Sequence, residues 1–216
     1  MSTKNTIINF KNVPYITKQN LSLFLGKTNY NLDYWSKKLV NEGALIPLKN
    51  GLYAPRYYYD LVSQSPNEKE KYVEFLANTI RGPSYVSLEY VLSKNNFLAE
   101  SVFSISSVTL KSTRTYNTDI AKFIYKNMRQ DLFYGYYYEN FKDKQIKIAS
   151  VAKALFDFFY LMTIESNIKE YLLNNSRFNW DTLSTAQKKE FEEMAVSSQS
   201  HKMLTILKIL KQEKIL

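Results

Sequence analysis

Tyr30-Asn31-Leu32-Asp33-Tyr34-Trp35-Ser36-Lys37-Lys38-Leu39-Val40-Asn41 and, just beyond it, Leu45-Ile46-Pro47-Leu48-Lys49-Asn50-Gly51-Leu52-Tyr53-Ala54-Pro55-Arg56 decide how the first part of the chain folds. At about 100° per residue, Leu32, Trp35 and Leu39 fall on one stripe of a helix, to be buried against a preceding helix. Tyr30, Tyr34, Lys37, Lys38 and Asn41 then lie on the opposite face. Thr28 or Asn29 is placed to accept a hydrogen bond from the first turn, and Gly43 supplies the left-handed residue that stops the helix. The two short apolar runs that follow are separated by Asn50-Gly51, a pair that suits a type I′ hairpin turn. Pro47 and Pro55 lack an amide donor and so predict edge strands.

Working outward, Thr17 to Gly26 is expected to be a short helix whose Leu21, Phe24 and Leu25 pack on the Trp35 stripe, with Lys27-Thr28-Asn29 as the turn between the helices. Helix, turn, helix and hairpin in compact order outline a winged helix. The chain carries 29 basic and 20 acidic residues, net +9, and residues 1–60 hold 8 basic against 3 acidic ones. That local excess fits a module that gains salt-sensitive affinity for nucleic acid through counterion release. On this reading Tyr30, Tyr34, Lys37, Lys38 and Asn41 face the major groove. Asn41 pairs with adenine and the lysines hold phosphates or guanine edges. Lys49 and Asn50 put the hairpin tip on the backbone or minor groove, and Lys27, Thr28 and Arg56 flank them. The bland alternative for each lysine is an ordinary solvated side chain.

With 216 residues and 45% apolar content, the chain is long enough for one large or two small domains. Cysteine is absent, which excludes disulfides, zinc-thiolate sites and thiol nucleophiles. Neither a signal-peptide pattern nor an apolar run of roughly 18 residues occurs, so a cytoplasmic protein without a membrane partner is expected. A boundary is expected at Ser63-Gln64-Ser65-Pro66-Asn67, which divides the chain into 1–62 and 63–216 and gives an α+β protein. In the second part, Glu68 to Ile80 reads as a helix, and a turn at Gly82-Pro83 precedes another helix with Leu88, Val91 and Leu92 inward. Strands are expected at Phe103 to Leu110, Ala121 to Tyr125, Phe133 to Tyr138 and Gln145 to Ala149, the last two forming a hairpin across Phe141 to Lys144. A buried central helix from Ser150 to Thr163 follows, then helices around Thr185 to Met194 and Ser200 to Lys214.

Gly51-Leu52-Tyr53, then Gly82-Pro83-Ser84-Tyr85-Val86-Ser87-Leu88-Glu89, then Ile148-Ala149-Ser150 leading into Lys153-Ala154-Leu155-Phe156-Asp157, together resemble the AbiEi-type antitoxins of bacterial type IV toxin-antitoxin systems. The likeness spans nearly the whole chain, although the family usually has a glutamate where Ala152 stands. The resemblance implies that an N-terminal winged helix binds inverted repeats upstream of its own operon as a monomer or homodimer and represses it. It also implies that the C-terminal domain opposes a nucleotidyltransferase-like toxin without a stable complex.

Further candidates lie in the second part. Lys153 and Asp157, four apart on one helical face, are expected to close the core as an ion pair, with a functional pair as the alternative. Arg81, Tyr85 and Arg114 are candidates for a polar surface near the Gly-Pro turn. Tyr134, Tyr136, Tyr137 and Tyr138 either stack on bases or pack a strand. Met203, Leu204, Leu207 and Leu210 either cover the core or dimerise. The reading competes with an enzyme, against which stand a single histidine, His201, and five scattered glycines that form no phosphate loop. No cofactor is expected. A third possibility is a stand-alone winged-helix repressor whose C-terminal domain dimerises or binds a ligand.

Overall fold

The computed structural model describes residues 10, 12–163, 167–173 and 178–216. It is a mixed α+β fold built on two sheets. The first part runs β1 (Ile16–Thr17), α1 (Lys18–Leu25), α2 (Asn29–Asn41), β2 (Leu45–Lys49) and β3 (Leu52–Pro55), and the three strands form an antiparallel sheet in the order β1-β3-β2. Thr17 caps α1 by accepting a bond from the Asn20 amide, and Gly26 ends it at φ +60. Gly43, at φ +72, ends α2: its amide bonds Val40 O and the next amide, Ala44, bonds Leu39 O, the paired bonds of a Schellman stop. The expected start of α2 is not made this way. Neither Thr28 nor Asn29 caps it; Thr28 contributes no side-chain bond, and Asn29 is itself left-handed at φ 50.

The buried stripe of α2 also differs from the expectation. Leu32, Ser36 and Leu39 are buried, Ser36 satisfying its hydroxyl on the Leu32 carbonyl at 2.7 Å. Trp35 is only half-buried on the flank, edge-on to Tyr34 and under the Lys38 ammonium at 4.7 Å. Phe24 therefore packs on Phe10, with 5.4 Å between ring centres, rather than on Trp35. The hairpin turn is not type I′ either, because of its two central residues only Gly51 has positive φ. The register slips by one residue between Pro47 and Lys49, a bulge at Leu48 that supplies the twist a type I′ turn would have provided. Pro47 lies on an edge strand as expected. Pro55 does not: β3 is central, and Pro55 is tolerated because it sits at the strand's end, beyond the residues that β1 pairs.

α3 (Arg56–Val62) and α4 (Pro66–Ile80) follow across a tight turn in which Ser65 caps α4, so the expected boundary at 63–67 is no extended linker. Alternation along the hairpin serves two cores. Leu45 joins Phe10, Ile16, Leu21, Leu32 and Leu39 in a small cluster, whereas Ile46, Leu48, Leu52 and Ala54 point the other way into the main core.

The remaining elements are β4 (Ser84–Val86), α5 (Leu88–Lys94), β5 (Ile105–Thr109), β6 (Arg114–Asn117), β7 (Lys122–Asn127), β8 (Tyr136–Phe141), β9 (Lys144–Ala149), α6 (Val151–Leu161), α7 (Ile168–Leu173), α8 (Thr185–Ser197) and α9 (His201–Gln212). Their six strands form one sheet, β6-β7-β5-β4-β9-β8. The expected β8–β9 hairpin is present with a tighter turn, Lys142-Asp143, since Phe141 and Lys144 are already paired. β4, β6 and α7 are additions to the sequence reading: β4 is too short for an alternation to register, and β6 is largely exposed. α4 covers one face of the sheet, where the Tyr125 hydroxyl donates to Ala77 O at 2.6 Å and Phe75 meets Phe141. α5 and α6 cover the other, with Tyr85 and Ser106 turned toward them. Residues Ala152 to Phe159 of α6 are all buried, as its nearly continuous apolar pattern predicts. Met203, Leu207 and Leu210 of α9 are core residues, and Leu204 is exposed.

Candidate nucleic-acid interface

Two elements set the geometry of the N-terminal surface. With the stripe of α2 turned inward, the residues half a turn away are presented to solvent: Tyr30 is 83% exposed and Tyr34 56%, with Lys37 and Asn41 exposed alongside. Two large apolar rings held that far out gain nothing from the core. The cations on this face are not equivalent. Lys37 makes no ion pair among the described residues, while Lys38 lies over Trp35 and 3.8 Å from Glu42, one turn on. Lys27 and Thr28 are exposed in the turn ahead of the helix, as expected.

Asp33 is the one acidic residue within α2, and left alone it would repel a polyanion. Lys18, a residue that helical periodicity did not single out, pairs with it at 2.6 Å. The contact raises the Lys18 pKa, the hydrogen bond to Asp33 being the main cause. Lys18 also donates its amide to Gly51 O at 2.7 Å, so one residue links α1, α2 and the hairpin tip.

The hairpin contributes less than expected. Asn50 is exposed at the tip, but the Lys49 ammonium is turned back to the Ile80 carbonyl at the end of α4. In this conformation Lys49 caps a helix instead of reaching outward, because the unpaired carbonyls of a helix C-terminus attract a cation. Arg56 is half-buried at the hairpin's base, its amide on Ala44 O, at the opposite end from the tip.

The second-part candidates separate into two places. Arg81 continues from α4 and clasps the β5–β6 loop, donating to Ser112 O at 2.7 Å, Ser112 Oγ at 2.9 Å and the Tyr116 hydroxyl at 3.3 Å, while Arg114 lies over the Tyr116 ring at 5.4 Å. Tyr85 is not part of that surface. It is fully buried, and its hydroxyl donates to Asp157 Oδ2 at 2.9 Å beside the Ser87 hydroxyl at 2.8 Å. Lys153 and Asp157 form the ion pair expected of their spacing, 2.8 Å apart with both side chains wholly buried. The same ammonium also donates to Leu132 O at 2.7 Å. Burial raises the Asp157 pKa, with Lys153, Ser87 and Tyr85 opposing the shift. The Tyr85 phenol is likewise pushed up, first by burial and then by the neighbouring Asp157. No solvent reaches this network, so it positions α6 against β4.

One polar cluster escaped the sequence reading. Glu74 is wholly buried on α4, its Oε1 accepting from Lys94 at 2.7 Å and Tyr90 at 3.0 Å, and Glu70 approaches the same two groups from one turn back. Burial raises the Glu74 pKa, and Lys94 opposes it. The cluster borders an open cleft of 490 Å³ lined by Glu70, Tyr90, Ser93, Lys94, Ser101 and Val102. Only the i, i+4 spacing of Glu70 and Glu74 was visible beforehand; Lys94 arrives from another helix. No group of three His, Asp or Glu side chains that would hold a metal occurs among the described residues, and none of their helices is long and apolar enough to cross a membrane. A scan against protein-family models and a search of curated proteins both find no match.

Proposed function

We propose that this chain is a DNA-binding antitoxin and transcriptional autorepressor of a type IV toxin-antitoxin system, with the first part acting as a winged helix. The observation that carries the reading is the outward row Tyr30, Tyr34, Lys37 and Asn41 on α2, followed at once by a hairpin whose Asn50 tip is exposed. A helix of this kind enters a major groove with polar and aromatic side chains toward base edges, and its lysines neutralise phosphates. Lys18 supports it by neutralising Asp33. The same α+β partner domain, with Gly82-Pro83 and the buried Lys153–Asp157 pair, carries the motifs on which the family resemblance rests. In this reading the protein has no catalytic role, and it opposes a nucleotidyltransferase-like toxin without a lasting complex.

A gel-shift on the DNA upstream of the chain's own operon tests the reader. Lys37→Ala with Lys38→Ala is expected to weaken binding and flatten its salt dependence by about one to two units of log–log slope. Wild-type affinity and slope in that variant would sink the assignment. Lys37 is expected to carry most of the loss, since Lys38 is shared with Trp35 and Glu42. A second reading, a stand-alone winged-helix repressor with a dimerising C-terminal domain, draws on the exposed strand β8. Co-expression with an adjacent toxin gene separates the two: rescue of growth supports the antitoxin, and its absence supports the plain repressor.

A further inference from the structure

The six-stranded sheet ends at β8, and the direction of that strand's free backbone groups can be read from its neighbours. In an antiparallel pair, opposed residues either exchange both hydrogen bonds or point both sets away from each other. Lys147, opposite Tyr138, gives its amide to Asn78 Oδ1 at 2.6 Å and accepts from Asn78 Nδ2 at 3.4 Å, on the side away from β8. One step beyond the strand, the Ser150 amide bonds Gly135 O at 3.1 Å, which fixes the same alternation independently. Tyr136, Tyr138 and Asn140 therefore aim their N–H and C=O groups out of the sheet edge.

Among the described residues, this edge carries no proline, lysine or bulge, and no second strand pairs with it. Natural edge strands are protected by proline, lysine, bulges or a covering element. β2 has Pro47, a bulge and Lys49, and β6 opens on Arg114. β8 reads Tyr-Tyr-Tyr-Glu-Asn-Phe with an unbroken register, and Tyr137 and Tyr138 are 47% and 54% exposed. Phe141 is buried, so the open stretch is Tyr136 to Asn140, with Tyr138 at its centre.

We propose that β8 is the edge through which two copies of this chain join, antiparallel, about a two-fold axis at Tyr138. That register sets Tyr138 against Tyr138 of the second copy and Tyr136 against Asn140, so all three outward-facing residues make their hydrogen bonds. It also sets Tyr137 opposite Glu139, repeating between copies the hydroxyl-to-carboxylate bond that those residues make within one strand at 3.2 Å. Shifting the strands two residues one way opposes Glu139 to itself, and two the other way leaves Asn140 unmatched. The strand is self-complementary in hydrogen bonding, and this register keeps the two Glu139 carboxylates from facing each other. A five-residue junction is small, so the dimer is weak in free solution. The inference rests on the protein alone and does not depend on DNA binding.

The absence of cysteine makes the test direct. Opposed residues in a hydrogen-bonded pair have Cα atoms about 5.5 Å apart, within disulfide reach. Tyr138→Cys is expected to give a disulfide-linked dimer under mild oxidation, and Val196→Cys, at a site of similar exposure on α8, is not. In sedimentation equilibrium the wild type is expected to show a monomer–dimer equilibrium that Tyr138→Lys weakens by about fivefold or more, since like charges become directly opposed. Circular dichroism confirms that the variant is folded. A wild type that stays monomeric up to millimolar concentration, a Tyr138→Lys dimer as strong as wild type, or equal crosslinking at 138 and 196 would each overturn the proposal.

Discussion

Lys153 and Asp157 show what a four-residue spacing means once a helix is buried. On a surface such a pair contributes a few tenths of a kcal/mol. With both groups desolvated, the cost of removing one partner is set by the charge left behind. Lys153→Met is therefore expected to destabilise the protein by roughly 3–5 kcal/mol. Adding Asp157→Asn, which keeps acceptors for the Tyr85 and Ser87 hydroxyls, is expected to recover most of that loss. Urea unfolding of the two singles and the double checks it, and additive losses would mean that the pair is not coupled. The sequence supplied the pairing, while the Leu132 carbonyl and the two hydroxyls that complete the network come from segments far along the chain.

Among the elements, two glycines, one ending α2 and one leading into β8, separate local from tertiary requirements. Gly43 and Gly135 both have positive φ, at +72 and +77. A methyl group at 43 meets nothing within 4 Å, whereas at 135 it would lie 3.0 Å from Lys153 Cγ and Cδ and 3.1 Å from Met194 Cε. Gly43→Ala is expected to cost about 1 kcal/mol, the backbone penalty alone. Gly135→Ala should cost clearly more, because it also pushes on the buried lysine; equal shifts in thermal midpoint would contradict this. The stop at Gly43 was readable from the sequence because its cause is local. The bulge at Leu48 and the turn of Trp35 to the flank were not, since they depend on which sheet face meets which core.

For the whole molecule, the hairpin has no solvent-facing apolar side. Ile46, Leu48, Leu52 and Ala54 belong to the same core as Tyr72, Phe141 and Phe156. Residues 1–62 and 63–216 are accordingly expected to unfold in one calorimetric transition, and a fragment starting at residue 63 to be destabilised or to aggregate. Two well-separated transitions would show instead that the parts are thermodynamically independent. Two hydrogen bonds strengthen this union: Lys49 caps α4 at the Ile80 carbonyl, and the Tyr72 hydroxyl donates to Pro14 O at 2.6 Å.

By itself the sequence determined the periodic elements, the stops at Gly26 and Gly43, the aromatic and basic outer face of α2 and the spacing of Lys153 and Asp157, because each follows from backbone geometry within a few residues. Tertiary structure alone decided that β3 is central, that Lys49 turns inward, that Tyr85 belongs to Asp157 rather than to a surface with Arg81 and Arg114, and that β8 is left as an open edge. Those outcomes depend on which distant segments compete for the same buried polar groups and sheet positions, and periodicity carries no record of that competition.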